Sequence, residues 1–212
     1  MIISINPDFP QGRQLDRVAK ILEGGGLIAY PTDTQYGIGC DMRQKRSIEK
    51  LYRLKKRSVK RPFSLICADL THISEYARVS NFAYRTMRRI LPGPFTVVLP
   101  GTRLVPQIML SRRHECGIRV PGHNVPIGIV KALGSPIINT SATLPRPDGS
   151  QDDDDEAEGA ALAATDPLEI EEAFKGQLDA VVDGGPVPGH LSTVVSLMDD
   201  DPVIIRQGLG QL

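Results

Sequence analysis

The stretch Pro31–Cys40, PTDTQYGIGC, places Thr32, Asp33, Thr34 and Gln35 directly after the apolar run Leu27–Tyr30, then adds Gly37 and Gly39. Four compact donors and acceptors offer hydrogen bonds with little bulk, which is the chemistry of holding a small polar ligand. Binding groups often sit on loops that a rigid strand positions. A plain polar connection between a strand and a helix has the same composition. A second candidate pair, Lys55 and Arg57, continues the row of Lys50 and Arg53, and taken alone it reads as the solvated face of a helix.

Other chemistries find no support in the spacing. There is no G-x-x-x-x-G-K-[ST] loop, and Gly37-Ile38-Gly39 has no third glycine to complete a dinucleotide fingerprint. His72, His114, His123 and His190 are not spaced as metal ligands, and His114-Glu115 has no partner histidine at the required offset. Cys40, Cys67 and Cys116 are odd in number and form no C-x-x-C pair, which argues against a disulfide framework or zinc ribbon. A reducing cytoplasm is the expected home.

Alternating helices and strands must position whatever site exists. Leu15, Val18, Ala19 and Leu22 recur at helical spacing and stop at Gly24-Gly25-Gly26. Leu27–Tyr30 is strand-like, and Ser47 is placed to cap a helix with Ile48, Leu51 and Tyr52 inside. Phe63–Cys67 reads as a buried strand, and Ser80 opens a helix that Pro92-Gly93-Pro94 ends. Further strands are expected at Phe95–Leu99, Gly117–Val120, Pro136–Asn139, Ser192–Leu197 and Val203–Arg206. Pro126 suits the first turn of a helix running to Leu133, and Asp166-Pro167 starts another. The uneven alternation predicts an α/β fold with a twisted, mixed open sheet flanked by helices.

The 212 residues are 41% hydrophobic and 24% charged, enough apolar mass for one domain spanning residues 1–212. No run is long enough to span a bilayer, and the start MIISINPDF lacks the basic and apolar regions of a signal peptide. A net charge of zero conceals a division: residues 43–119 carry +14 and residues 120–212 carry −12. Such separation steers an anionic partner toward one face. Within the acidic part, 148–160 is expected to be a mobile loop, because the run Asp152–Asp155 repels itself.

Several separated segments, in order, resemble the YrdC-like family, whose members make threonylcarbamoyl-adenylate for modification of tRNA adenosine. They are GGGLIAYPTDTQYGIGC, LKKR followed by KRPFSLI, PGPFTVVLP, GIRVPGH, PIINTSAT, STVVSL and VIIRQG. The opening INPDFPQGRQ and the NTSATLP segment are most similar to the YciO-like branch. The resemblance implies a single domain with a concave basic cleft that takes L-threonine, bicarbonate and ATP, with Mg²⁺, and serves tRNA. It makes Thr32, Thr34, Tyr36, Arg119 and Ser192 substrate contacts, with Arg119, at the edge of a short strand, as a clamp for the amino-acid carboxylate. Lys55, Arg57 and Ser141 become catalytic and nucleotide-binding groups, joined by Arg206 on the nucleotide and Thr143 on the catalytic rim. Lys supplies a point charge and Arg a planar fork for phosphate or carboxylate.

The same comparison exposes departures. Thr143 stands where the family has asparagine, exchanging an amide for one hydroxyl. Ile66 replaces a histidine expected to form a polar wall, Ser58 a proline and Leu191 a glutamate. A second reading therefore stands beside the enzyme: a protein that binds double-stranded or folded RNA through its basic segment, with a degraded or sensory nucleotide cleft.

Overall fold

The computed structural model describes residues 1–144 and 163–212, so the loop expected over 148–160 lies outside the described residues. Its centre is a ten-stranded mixed sheet of order β1-β8-β2-β3-β7-β4-β6-β5-β9-β10. The strands are β1 (Ile2–Ser4), β2 (Ile28–Tyr30), β3 (Gly37–Asp41), β4 (Ser64–Ile66), β5 (Phe95–Pro100), β6 (Glu115–Arg119), β7 (Ile137–Ser141), β8 (Ala180–Asp183), β9 (Thr193–Ser196) and β10 (Val203–Arg206). The helices are α1 (Gly12–Glu23), α2 (Lys45–Leu54), α3 (Leu70–Tyr76), α4 (Asn81–Ile90), α5 (Asn124–Leu133) and α6 (Pro167–Ala173). The α/β class and the flanked mixed sheet are as the sequence predicts.

Strand alternation sorts side chains between two faces. On one face Ala29, Ile38, Leu65, Val97, Ile118, Ile138 and Val195 join a cluster with α2, α3, α4 and α6. On the other, Ile3, Ile28, Tyr30, Ile66, Ile137 and Val182 pack beneath α1 and α5. That second layer ends partway across the sheet. Beyond it the same face of β4, β5, β6, β7 and β9 presents Ser64, Thr96, Val98, Gly117, Arg119, Asn139, Ser141 and Val194, and these surround a cavity instead of a helix.

The polar stretch after β2 is a hairpin loop, because Gly37–Asp41 returns as β3, antiparallel to β2. Glycine has low strand propensity, which hides this strand in the sequence. The structure shows why glycine is needed. A Cβ on Gly37 would stand 2.3 Å from Asn139 Oδ1 and 3.2 Å from the Tyr30 ring. On Gly39 it would meet the Ile138 carbonyl oxygen at 2.4 Å. The bare β3 backbone lets the Tyr30 ring lie against it, and the Tyr30 hydroxyl donates to Asn139 Oδ1 at 2.6 Å.

Some local expectations change. Ser47 does not cap α2, whose N-cap is Gln44; the Ser47 hydroxyl instead donates to the Gly25 carbonyl at 2.8 Å, tying α2 to the glycine turn after α1. Ser80 and Asp166 do cap α4 and α6. Arg119 lies at the end of β6, which has β4 and β5 on either side and is an interior strand of the sheet. Among the described residues no helix is long and apolar enough to cross a membrane.

Cys40, Cys67 and Cys116 are free and buried. Burial disfavours the thiolate, pushing Cys40 and Cys67 far up and Cys116 up to about 12. Native protein at neutral pH should therefore resist iodoacetamide at all these cysteines and react only after denaturation, as mass spectrometry would read. Gly39→Ala should lower stability by about 1–3 kcal/mol in urea titration, the usual cost of overpacking; an unchanged midpoint would contradict the close approach at β3.

Candidate functional site

The loop between β2 and β3 is built by its own hydroxyls. Thr32 Oγ1 donates to the Gln35 carbonyl at 2.6 Å and accepts from the backbone N–H of Thr34 and Gln35. It also lies 3.0 Å from Thr34 Oγ1. Thr32 and Tyr36 do not line the cavity; Thr32 locks the turn, and the Tyr36 hydroxyl donates to the Gly185 carbonyl at 2.8 Å. Thr34 and Gln35 do line it. The Thr34 carbonyl accepts from the backbone N–H of Gly189 at 2.7 Å, pinning the loop to the segment before β9.

Lys55 and Arg57 are not on a solvated helix face. Helix α2 stops at Leu54, and the backbone N–H of Arg57 bonds the Tyr52 carbonyl while that of Lys56 bonds Arg53. This is a Schellman turn, and Lys56 occupies its left-handed position at φ 46°. The turn sends Lys55 inward: its Nζ donates to Thr143 Oγ1 at 2.6 Å and to the Ser141 carbonyl at 3.1 Å. The Arg57 guanidinium lies 5.4 Å above the Phe63 ring, and Phe63 in turn stacks on Tyr52. The turn thereby joins α2 to β7 at the cavity rim.

Arg57, Arg119, Ser141, Ser192 and Arg206 all line one cavity of about 480 Å³, although they are far apart in sequence. Lys55 reaches its edge through Ser141. Ser192 Oγ is 3.0 Å from Thr96 Oγ1, and the Ser192 carbonyl accepts from Arg206 Nη2 at 3.1 Å. The substituted positions are distributed differently. Leu191 lines the cavity, Ser58 is exposed, and Ile66 is fully buried beneath α1 and α5 instead of forming a cavity wall.

Arg119 is only 5% exposed. Its Nη2 donates to Asp33 Oδ1, and its Nε has no partner among the described residues. Burial lowers the pKa of Arg119, Asp33 opposes that, and the like charge of Arg206 adds to the lowering. An anion placed between two arginines that disfavour each other would relieve that repulsion. Asp33 holds the guanidinium from the hairpin loop. The sequence offers Asp33 only as one of four polar groups in the loop, and one carboxylate there carries no sign of its partner 86 positions away. Asn139 and Ser64 were missed. Asn139 Oδ1 accepts a hydrogen bond from the Tyr30 hydroxyl, which turns its Nδ2 toward Ser64 Oγ at 3.3 Å. Burial holds the Tyr30 hydroxyl protonated and able to donate.

Asp33→Ala should destabilise the protein by about 3–5 kcal/mol, since it strands a buried cation. Replacing both partners, as Asp33→Leu with Arg119→Met, should recover most of that loss. Urea unfolding measures both, and a double variant no better than Asp33→Ala would contradict the pairing.

Known proteins share this architecture. A family model described as telomere recombination, Sua5/YciO/YrdC, matches residues 20–208. The uncharacterized protein YciO of Escherichia coli K12 is 35% identical over 98% of this chain and 95% of its own. The crystal structure of E. coli YciO superposes with a TM-score of 0.87 over 100% of this chain and 97% of that one. The crystal structure of Pyrococcus abyssi Sua5 complexed with L-threonine gives 0.84 at 25% identity, covering 98% of this chain and 57% of that one. The threonylcarbamoyl-AMP synthase of Chromobacterium violaceum is 34% identical over 64% of this chain and 71% of its own. With a family model matching residues 20–208 and relatives aligned over nearly the whole chain, the chain belongs to the Sua5/YciO/YrdC family.

Proposed function

We propose that this protein makes L-threonylcarbamoyl-adenylate, or a related carbamoyl-adenylate, from L-threonine, bicarbonate and ATP, for N6-threonylcarbamoyladenosine in tRNA. The observation carrying this reading is the convergence of Arg57, Arg119, Ser141, Ser192 and Arg206 on one cavity, with Lys55 at its rim. Relatives named threonylcarbamoyl-AMP synthase and the threonine complex of P. abyssi Sua5 support it.

The chemistry asks for fixed charge more than for a covalent nucleophile. The threonine amine and bicarbonate first form a carbamate with loss of water. A carbamate oxygen then bonds to the α-phosphorus as the α–β phosphoanhydride bond breaks, and pyrophosphate leaves. Negative charge spreads over the phosphoryl oxygens, where preorganised cations and donors stabilise it. Lys55 and Arg57 face those oxygens from the Schellman turn, with Ser141 between strand and substrate and Arg206 on the nucleotide. Arg119, braced by Asp33, takes the amino-acid carboxylate through its unpaired Nε. Ser192 and Thr34 offer hydroxyls to the amino acid, and Thr32 and Tyr36 serve by holding the loop. Among the described residues no group of three or more His, Cys, Asp or Glu could hold a metal ion. Mg²⁺, bound readily by phosphate oxygens, would enter with the ATP.

Thr143 accepts the Lys55 ammonium, so its hydroxyl aims the lysine at the rim. Thr143→Asn keeps an acceptor and adds an N–H donor. It should raise the rate, though by less than the roughly hundred- to thousandfold worth of one well-placed electrostatic contact. Lys55→Ala should abolish ATP binding and turnover. Radiolabelled bicarbonate with threonine and ATP, scored for adenylate and pyrophosphate, is the direct test; no product from either the parent or Thr143→Asn would overturn the reading.

The alternative, binding of double-stranded or folded RNA, draws on one observation. Helices α2 and α4 cover the same sheet face and expose Lys45, Arg46, Lys50, Arg53, Arg85, Arg88 and Arg89. Phosphate contacts of this kind weaken steeply with salt. Tight, salt-sensitive tRNA binding without adenylate formation would make this the leading account.

A further inference from the structure

Glu115 is out of keeping with its surroundings. It lines the same cavity as Arg57, Arg119 and Arg206, is only partly exposed, and has no ion-pair partner among the described residues. Among the described residues the one hydrogen-bond partner of its carboxylate is Ser111, whose Oγ donates to Oε2 at 3.0 Å. That hydroxyl also accepts from the backbone N–H of Arg113 and Glu115 at 3.1 and 3.2 Å, so its single proton is committed to the carboxylate. The hydroxyl fixes the carboxylate, and its second oxygen remains available as an acceptor.

Sheet register places this acceptor relative to the rest of the site. Ser64 pairs with Gly117 on β6 and with Asn139 on β7. Extending both registers by two residues sets Pro62, itself in the cavity wall, level with Glu115 on one side and Ser141 on the other. Glu115 and Ser141 are then two strand spacings apart, about 10 Å between backbones. Arg119 lies four residues further along the same face of β6, about 13 Å away. Gly117 between them leaves the floor without a side chain.

These positions decide which part of a ligand Glu115 meets. A phosphate is repelled by the carboxylate and drawn toward Ser141, Lys55 and Arg57. An α-amino acid held by Arg119 has its amine one carbon from its carboxylate, too close to Arg119 to reach Glu115. What remains is a neutral hydrogen-bond donor joined to the phosphates: a ribose hydroxyl or the exocyclic amine of the base. We propose that Glu115, oriented by Ser111, binds a hydrogen-bond donor of the nucleoside and sets nucleotide selectivity at this end of the cavity. This rests on the nucleotide-binding reading above.

Isothermal titration of the full chain with Mg²⁺ complexes of ATP, 2′-deoxy-ATP, 3′-deoxy-ATP and purine riboside triphosphate, without threonine or bicarbonate, tests it. The parent should bind one analogue at least about tenfold more weakly than ATP, as expected on losing a hydrogen bond to a charged group. The analogue affected identifies the donor. Glu115→Ala should weaken ATP binding to the level of that analogue and bring the two within about twofold, while Glu115→Gln, which keeps an acceptor oxygen, should retain part of the difference. Equal binding of all four nucleotides by the parent, or undiminished discrimination in Glu115→Ala, overturns the assignment while leaving nucleotide binding intact. Binding of none of them overturns the nucleotide reading and this assignment together.

Discussion

A sheet of ten strands presents two faces, and helices α1 and α5 reach only partway across one of them. Every strand passing beyond their edge must place alternate side chains against water or a ligand, because no apolar layer is there to receive them. The consequence is visible within single strands. Ile66 lies under the helices, whereas Ser64, two residues earlier on the same face, opens into the cavity. β7 behaves alike, with Ile137 covered and Asn139 and Ser141 uncovered. The site is a missing helix as much as a gathering of residues.

An uncovered sheet face would remain a shallow trough without walls. One wall is the hairpin loop, held by Thr32 and by backbone bonds to the segment before β9. Another is the Schellman turn that carries Lys55 and Arg57, and a third is the return of β10 with Arg206. The ion pair between Asp33 and Arg119 couples the first wall to the floor. Burying it is unfavourable in itself, since desolvating two charges offsets much of their attraction. Its function is positional: it keeps a guanidinium where an anion can meet it and where packing alone would place an apolar side chain. Glycines make the same arrangement possible from beneath, by letting Tyr30 lie across β3 and fix Asn139.

This geometry also explains why the family's departures are not equivalent. Thr143 retains an oxygen for Lys55, so the contact at the rim persists in altered form. Ile66 packs in the apolar layer under α1 and α5 and not in the cavity wall, so the histidine expected at this position gives way to packing. Leu191 gives the cavity an apolar patch beside Ser192. The cationic half of the site is the better furnished, and the carboxylate of Glu115 marks where that half ends.

Much of this was legible in the amino-acid sequence. Helical spacing predicted α1 and α4, the placing of Pro126 predicted α5, β-branched runs predicted β9 and β10, and motif order predicted the family together with Thr34, Arg57, Arg119, Ser141, Ser192 and Arg206 of the cavity lining. Each rests on local periodicity or on short contiguous strings. Strand β3 was hidden because its glycines serve a neighbouring ring, and Ser47 was misread because a hydroxyl before a helix can bond elsewhere. The roles of Asp33, Asn139, Ser64 and Glu115 were out of reach for a deeper reason. Their significance comes from partners on other strands and from where the helical layer stops, and that edge is set by how α1 and α5 pack on each other. Sequence determined which residues alternate; only the tertiary structure decided which alternating residues were left without a cover, because covering is a property of the layer above and not of the strand itself.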